Sequence, residues 1–289
     1  MENIGLLPLD IVAIRHGETP GNVKSREYKN KGIDGYTEDF MKIPSVHWPL
    51  TERGLEQEGL AGEWIVRNFG ADYFDRYYVS SLNRTIESAI AMNLRNAVWR
   101  IDDRLVERAH GDVEVLAPRE YGEYDHVKMN LRAREVSPYF AKGPNGESFS
   151  DVVNNRITSW LGTLAREQVV SALAVAHGEW IGALQMKMEK ISALDWPRIK
   201  KEDPMRSMWN GQIVHYTRTN PFTGEVSPSV SHWRTIRPWR EAGRNKEIVA
   251  AAKGEDIWHE RVSPTYTNDQ LVELLAKRMV ERSAEQPQD

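Results

Sequence analysis

Three short apolar runs each stop at a polar turn, and helical periodicity fills much of the chain between them. Asp10-Ile11-Val12-Ala13-Ile14 breaks at Arg15-His16-Gly17, a run over 77–80 breaks shortly before Arg84, and Leu173-Ala174-Val175-Ala176 breaks at His177-Gly178. Continuous apolar runs this short suit strands buried on both faces. Thr51 can cap a helix reaching Phe69, with Leu60/Trp64 and Ala61/Ile65 recurring at i,i+4 and Gly70 as the stop. Further helices are expected over 85–94 and 149–168. The second begins at Ser148 or Ser150 and carries Val153, Ile157, Trp160, Leu161 and Leu164 on one face. A third short strand is expected over 98–101. Strands alternating with helices predict the α/β class, a three-layer α/β/α sandwich around a mostly parallel sheet. Residues 212–218 and 229–236 flank Asn220-Pro221-Phe222-Thr223-Gly224, a hairpin composition that supplies an antiparallel edge strand.

The 289 residues read as a single domain with its core over about 8–240, followed by an extension, 241–289, that holds one helix at about 269–282 and a frayed tail from Ser283. The absence of cysteine excludes disulfides, a thiolate nucleophile, iron–sulfur clusters and Cys-type zinc sites. A formal charge of −4, from 38 Lys plus Arg against 42 Asp plus Glu, argues against nucleic acid or an anionic membrane as partner. The amino terminus lacks the basic start and apolar run of a signal peptide, and no stretch of about 18 apolar residues occurs. The chain therefore reads as soluble and cytoplasmic, with a homodimer left open.

In a parallel α/β sheet the carboxyl ends of the strands share one edge, where ligand crevices form. Arg15, His16, Arg84 and His177 should converge there, and the glycines after both histidines should let a ligand approach the imidazoles and backbone N–H groups. A metal is not expected between the histidines, because Arg15 beside His16 would repel a cation. His110, His126, His215, His232 and His259 show no metal-ligand spacing. Arg234, Arg237, Arg240, Arg244 and Lys246 form a basic cluster, read as a solvated face.

One ordered set gathers these signals. Arg15-His16-Gly17-Glu18-Thr19 with Asn22, Leu50-Thr51-Glu52-Arg53-Gly54 with Gln57, Ser80 with Arg84 and Glu87, Glu107, Gly146-Glu147-Ser148 and Ala176-His177-Gly178 follow in one order. In that order the chain closely resembles the histidine phosphatase superfamily, branch 1, which holds cofactor-dependent phosphoglycerate mutases and many phosphatases. The resemblance covers roughly 10–218. It implies a phosphoglycerate mutase-like fold and assigns His16 as the nucleophile, attacking phosphorus through one ring nitrogen while a hydrogen bond fixes the other. Arg15 and Arg84 match the phosphate clamps, Asn22 and Gly178 further phosphate contacts, and His177 a donor to an equatorial oxygen. Glu107 matches the carboxyl that protonates the leaving oxygen and then activates water; Asp102, Asp103 and Glu114 are its rivals. Glu147 is expected to support the pocket.

The implied activity is a metal-independent, cofactor-free phosphomonoesterase acting on a small phosphorylated substrate through a phosphohistidine. Two alternatives stay open, a phosphoglycerate mutase-type phosphotransferase and a non-catalytic phosphate-binding module. Family mutases carry a tryptophan before the asparagine and an arginine pair in a longer insert after the acid. Here Gly21 precedes Asn22 and the segment 108–148 has no such pair, although Glu107-Arg108 with Gly111 does echo the mutases. Residues 23–48 read instead as an enlarged loop beside the nucleophile, placed as a substrate lid.

Overall fold

The structure is a computed structural model, described here for residues 6–203, 206–241 and 256–284. Strands β1 (Asp10–Arg15), β2 (Arg76–Val79), β3 (Trp99–Ile101), β4 (Ser171–Ala176), β5 (Ile213–Thr217), β6 (His232–Ile236) and β7 (His259–Glu260) form one sheet. Their order is β3-β2-β4-β1-β5-β6-β7. The first four in that order run parallel, and each of β5, β6 and β7 is antiparallel to its inner neighbour. The helices are α1 (Pro20–Lys31), α2 (Glu38–Met41), α3 (Glu52–Phe69), α4 (Asn83–Ala91), α5 (Asp125–Val136), α6 (Phe149–Asp151), α7 (Thr158–Arg166), α8 (Gly178–Glu189), α9 (Trp196–Glu202), α10 (Pro238–Glu241) and α11 (Asn268–Ala284).

The apolar runs are buried on both sides because successive side chains enter different cores. Ile11, Ala13, Ala172 and Ala174 pack with Trp160 and Leu164 of α7 and Trp180 and Leu184 of α8. Val12, Ile14, Leu173 and Val175 pack on the opposite face with Ala61, Trp64 and Ile65 of α3. This is the α/β/α sandwich the alternation predicts. The antiparallel edge holds more than the one expected strand: β5 and β6 form the hairpin, and β7 adds a two-residue strand beyond β6 that carries the sheet past the expected core boundary. There the Trp233 and His259 rings stack at 4.5 Å.

Three local expectations change. Residues 23–48 are largely helical rather than an open loop: Thr19 and Asn22 form a capping box, Pro20 opens α1, and Gly32 ends it in a left-handed conformation with φ 67°. Val23 and Tyr28 are its only large apolar or aromatic side chains, so no apolar stripe announces it. The expected helix over 149–168 is not one α-helix, because a π-helical segment, Val152–Ile157, separates α6 from α7. Ser148 is its cap, exchanging hydrogen bonds with Asp151, while Ser150 accepts from Asn154. The basic cluster is not a solvated face where it is described. Arg234 lies between Trp64 and Trp258, with its guanidinium carbon 5.0 and 4.4 Å from the ring centres, and Arg237 is buried over Trp209. Arg244, Lys246 and the Arg240 side chain lie outside the described residues. So do residues 285–289 of the expected tail, whereas Ser283 and Ala284 end α11. Among the described residues no helix is long and apolar enough to cross a membrane.

Glu58, on α3, is fully buried with neither carboxyl oxygen hydrogen-bonded. Burial holds its carboxyl well above the usual range, so the folded state binds this proton more tightly than the unfolded chain. The stability contributed by this group therefore falls as pH rises from the unfolded value toward the folded one. Urea melts of Glu58→Gln should match the parent near pH 4.5 and show a stability advantage that widens toward pH 8. An advantage independent of pH would contradict this reading.

Candidate active site

Pairing of β1 with β4 sets Arg15 opposite Ala176, and the His16 N–H donates to the Ala176 carbonyl at 3.0 Å. Ser80, just after β2, donates its N–H to the Val175 carbonyl at 3.1 Å. His16, His177 and Ser80 therefore meet at one sheet edge, with the histidine ring centres 5.2 Å apart.

His16 Nδ1 lies 2.7 Å from the Gly17 carbonyl oxygen. A carbonyl only accepts, so Nδ1 carries the proton and Nε2 keeps its lone pair. Burial, then the Arg84 and Arg15 charges, hold the imidazole well below its usual pKa, and the ring is neutral. The turn that carries it is clamped by backbone. A Cβ on Gly17 would lie 2.4 Å from the Gly54 carbonyl oxygen, and one on Gly54 would lie 2.3 Å from that of Glu18. Gly17 is thus required by the approach of α3 rather than by ligand access. The Gly17 N–H donates to Ser88 of α4, and the buried Glu18 carboxylate pairs with Arg26 of α1 at 2.8 Å.

Arg15 and Arg84 bring two guanidinium groups to this edge. Arg15 Nη1 donates to the Met208 carbonyl, and its Nε is buried without a hydrogen-bond partner. Such a donor calls for an acceptor. Gly178 opens α8 beside it, where an added Cβ would stand 3.4 Å from that Nε. Arg84 is buried rather than a solvated charge at a helix start, and Glu87 accepts instead from the Leu50 N–H at 2.7 Å. Burial first, with Arg15 adding to it, pushes Arg84 down to about 10 against the opposing pull of Glu107. Arg84 Nε donates to His177 Nδ1 at 3.3 Å, and Nη1 to the Ser45 carbonyl at 2.9 Å. His177 Nε2 then carries the proton, facing Ser80 Oγ at 2.9 Å. Both ring nitrogens of His177 are thus engaged within the protein, and donation to a phosphate oxygen needs one of these bonds to be exchanged.

Asn22 Oδ1 accepts from the Thr19 N–H, the Thr19 hydroxyl and Asn210 Nδ2 at 3.0–3.2 Å. That fixes the amide orientation and leaves its amino group as the free end. Glu107 lies at the start of α8: its Oε1 accepts from the N–H groups of Arg108, Glu179 and Trp180 at 3.0, 3.2 and 3.3 Å. Burial and then the Glu179 charge raise its pKa, with Arg84 and Arg15 pulling the other way. Of its rivals, Asp102 is bound to Arg104, Asp103 is exposed, and Glu114 accepts from the His110 N–H. Glu147 accepts from Ala109 and Arg156, and Arg156 donates to the Val106 carbonyl, so this pair holds the backbone that presents Glu107. Among the described residues no group of three or more His, Asp or Glu side chains is placed to hold a metal ion.

Sequence reasoning missed Asn210, Arg156 and Glu179. Asn210 acts from 188 residues beyond Asn22 and no motif marks it. Glu179 stands directly after the His177-Gly178 signal, and no further motif marks it.

Comparison with known proteins shows what the chain is similar to. Residues 11–208 match the histidine phosphatase superfamily, branch 1. A 2,3-bisphosphoglycerate-dependent phosphoglycerate mutase of Cytophaga hutchinsonii is 27% identical over 190 residues, which are 64% of this chain and 79% of the relative. The rat 6-phosphofructo-2-kinase/fructose-2,6-bisphosphatase 4 is 26% identical over 61% of this chain, which spans 32% of that protein. The α-ribazole phosphatase of Shigella flexneri shares the fold with a TM-score of 0.54 and 23% identity over 76% of this chain and 96% of its own. A mycobacterial glucosyl-3-phosphoglycerate phosphatase does so with a TM-score of 0.55 and 22% identity over 78% and 96%. The match covers more than half of the chain and falls on the strand ends that build the site, so the chain belongs to branch 1 of the histidine phosphatase superfamily.

Proposed function

We propose that this protein is a metal-independent phosphomonoesterase that works through a phosphohistidine on His16. The observation that carries the reading is the neutral, tautomer-fixed imidazole of His16 beside two buried guanidinium groups. Arg15 and Arg84 bind the phosphoryl oxygens, with Arg15 Nε as a donor that waits for one. Asn22 adds its amino group without adding charge. His16 Nε2 attacks phosphorus in line as the bond to the leaving oxygen breaks, and Glu107 gives that oxygen its proton. The resulting carboxylate then takes a proton from water, which attacks the phosphohistidine, releases inorganic phosphate and restores both groups. His177 orients Arg84 and receives its Nε–H.

One observation favours a second reading, the mutase. The helical segment beside the nucleophile is docked rather than open: Arg119 donates to Asp34 and to the Tyr36 carbonyl at 2.8 and 2.7 Å, and the Ser45 carbonyl holds Arg84. A closed cover restrains water, as transfer to a second substrate hydroxyl requires.

The reading is tested by turnover in EDTA over sugar phosphates, phosphoglycerates, nucleotides and p-nitrophenyl phosphate, with phosphoglycerate isomerisation followed alongside. Phosphate release that disappears in His16→Ala is expected; release that survives the substitution contradicts the mechanism, and isomerisation without release selects the mutase. Glu107→Gln should lower kcat/KM for alkyl phosphates by about a hundredfold or more. A loss under about tenfold would assign the acid elsewhere. Because burial and the arginines keep His16 and His177 neutral, kcat at saturating substrate should show no acid limb near pH 6.5, where an ordinary histidine titrates. An acid limb centred there would contradict the electrostatic account.

A further inference from the structure

Beside Glu107 stands a second carboxylate with partners of its own. Arg108 grips Glu179 with two hydrogen bonds, Nε to Oε2 at 2.8 Å and Nη2 to Oε1 at 2.9 Å. His110 Nε2 lies 3.1 Å from Glu179 Oε2, and Arg134 of α5 donates to the other ring nitrogen of His110 at 2.9 Å. A bond from an arginine leaves Nδ1 as acceptor, so Nε2 holds the proton and points it at Glu179. The backbone N–H of the same Glu179 donates to Glu107, which ties the two carboxyls to one helix start.

We infer that Glu179 is a positioning residue for the reaction: fixed as an anion by Arg108 and His110, it keeps the neighbouring Glu107 in the protonated form that can serve the leaving oxygen. The inference rests on the reading of Glu107 as proton donor. Two carboxyls sharing a site divide unequally, and the one with the better cation partners ionises. Burial opposes ionisation of Glu179, yet His110 and Arg108 hold it at about 2, whereas Glu107 is raised. The other charges facing the pair do not reverse the division. Arg15 from β1 faces both carboxyls, while Arg84 from α4 and Arg156 from the π-helical segment face Glu107 and favour its anion. Arg134 faces Glu179 from α5. At Glu107 burial comes first in opposing the three guanidinium groups and the Arg108 N–H, and Glu179 is the charge that adds to it.

The test is the pH profile of kcat/KM, which reports phosphoryl transfer to the enzyme, for an alkyl phosphate and for p-nitrophenyl phosphate, whose leaving group departs without a proton. In Glu179→Gln the opposing anion is gone while Arg108 remains, so Glu107 loses its proton at lower pH. The alkaline limb for the alkyl phosphate should move to lower pH, with a loss of about tenfold on that side, while p-nitrophenyl phosphate changes by less than about twofold. Arg108→Gln should move the limb the same way, because Glu179 then loses the cation that fixes it as an anion and takes up the proton that Glu107 gives up. This second shift decides the matter if Glu179→Gln does not fold. A limb unmoved in both variants, or an equal loss for both substrates at every pH, overturns the inference. If instead Glu107→Gln spares alkyl phosphate turnover, the reading of Glu107 itself has failed.

Discussion

The site depends on the parallel register between β1 and β4. With Arg15 opposite Ala176, the residues that follow each strand, His16 and His177, emerge side by side although 161 positions part them in the chain. A shift of one residue would turn the apolar side chains of either strand toward the wrong core. Both faces of both strands are buried, so the packing that fixes the fold also fixes the separation of the two imidazoles. The close crossing of Gly17 and Gly54 then leaves the His16 turn little freedom, and Ser88 holds it to α4.

On this frame the electrostatics follow from burial. Two guanidinium groups enter a buried edge where the histidines stay neutral, and the carboxyls that face them stand at the start of α8. A helix start already favours an anion. The arrangement leaves one donor, Arg15 Nε, without an acceptor, a cost that a bound phosphoryl oxygen would remove. In the proposed mechanism the cations that bind phosphate also tend to ionise Glu107, so a nearby fixed anion becomes useful rather than wasteful.

Much of this was legible in the sequence, for physical reasons. The strand runs 11–14 and 173–176 are apolar at every position because both faces are covered, and the turns after them carry the charged residues at the sheet edge. Helix α3 announced itself through Thr51, its apolar stripe and Gly70. What was not legible lacked a periodic signal. Helix α1 has no apolar stripe, only Val23 and Tyr28 among polar residues, although Thr19, Pro20 and Gly32 mark its ends. The π-helical segment keeps the apolar face of a helix, so Val153, Ile157 and Trp160 give no hint of the wider turn. Asn210 reaches the site by tertiary folding alone, and Glu147, expected to support the pocket, does so through Arg156, a partner no sequence signal named.

The measurement that bears most directly on the central claim is rapid chemical quench with a radiolabelled phosphomonoester, followed by peptide mapping of the labelled protein. The account predicts a transient label on the peptide containing His16, stable in alkali and lost in acid, on the nitrogen not tied to the Gly17 carbonyl. Product formation with no labelled protein at any time, or label on another residue, would contradict it.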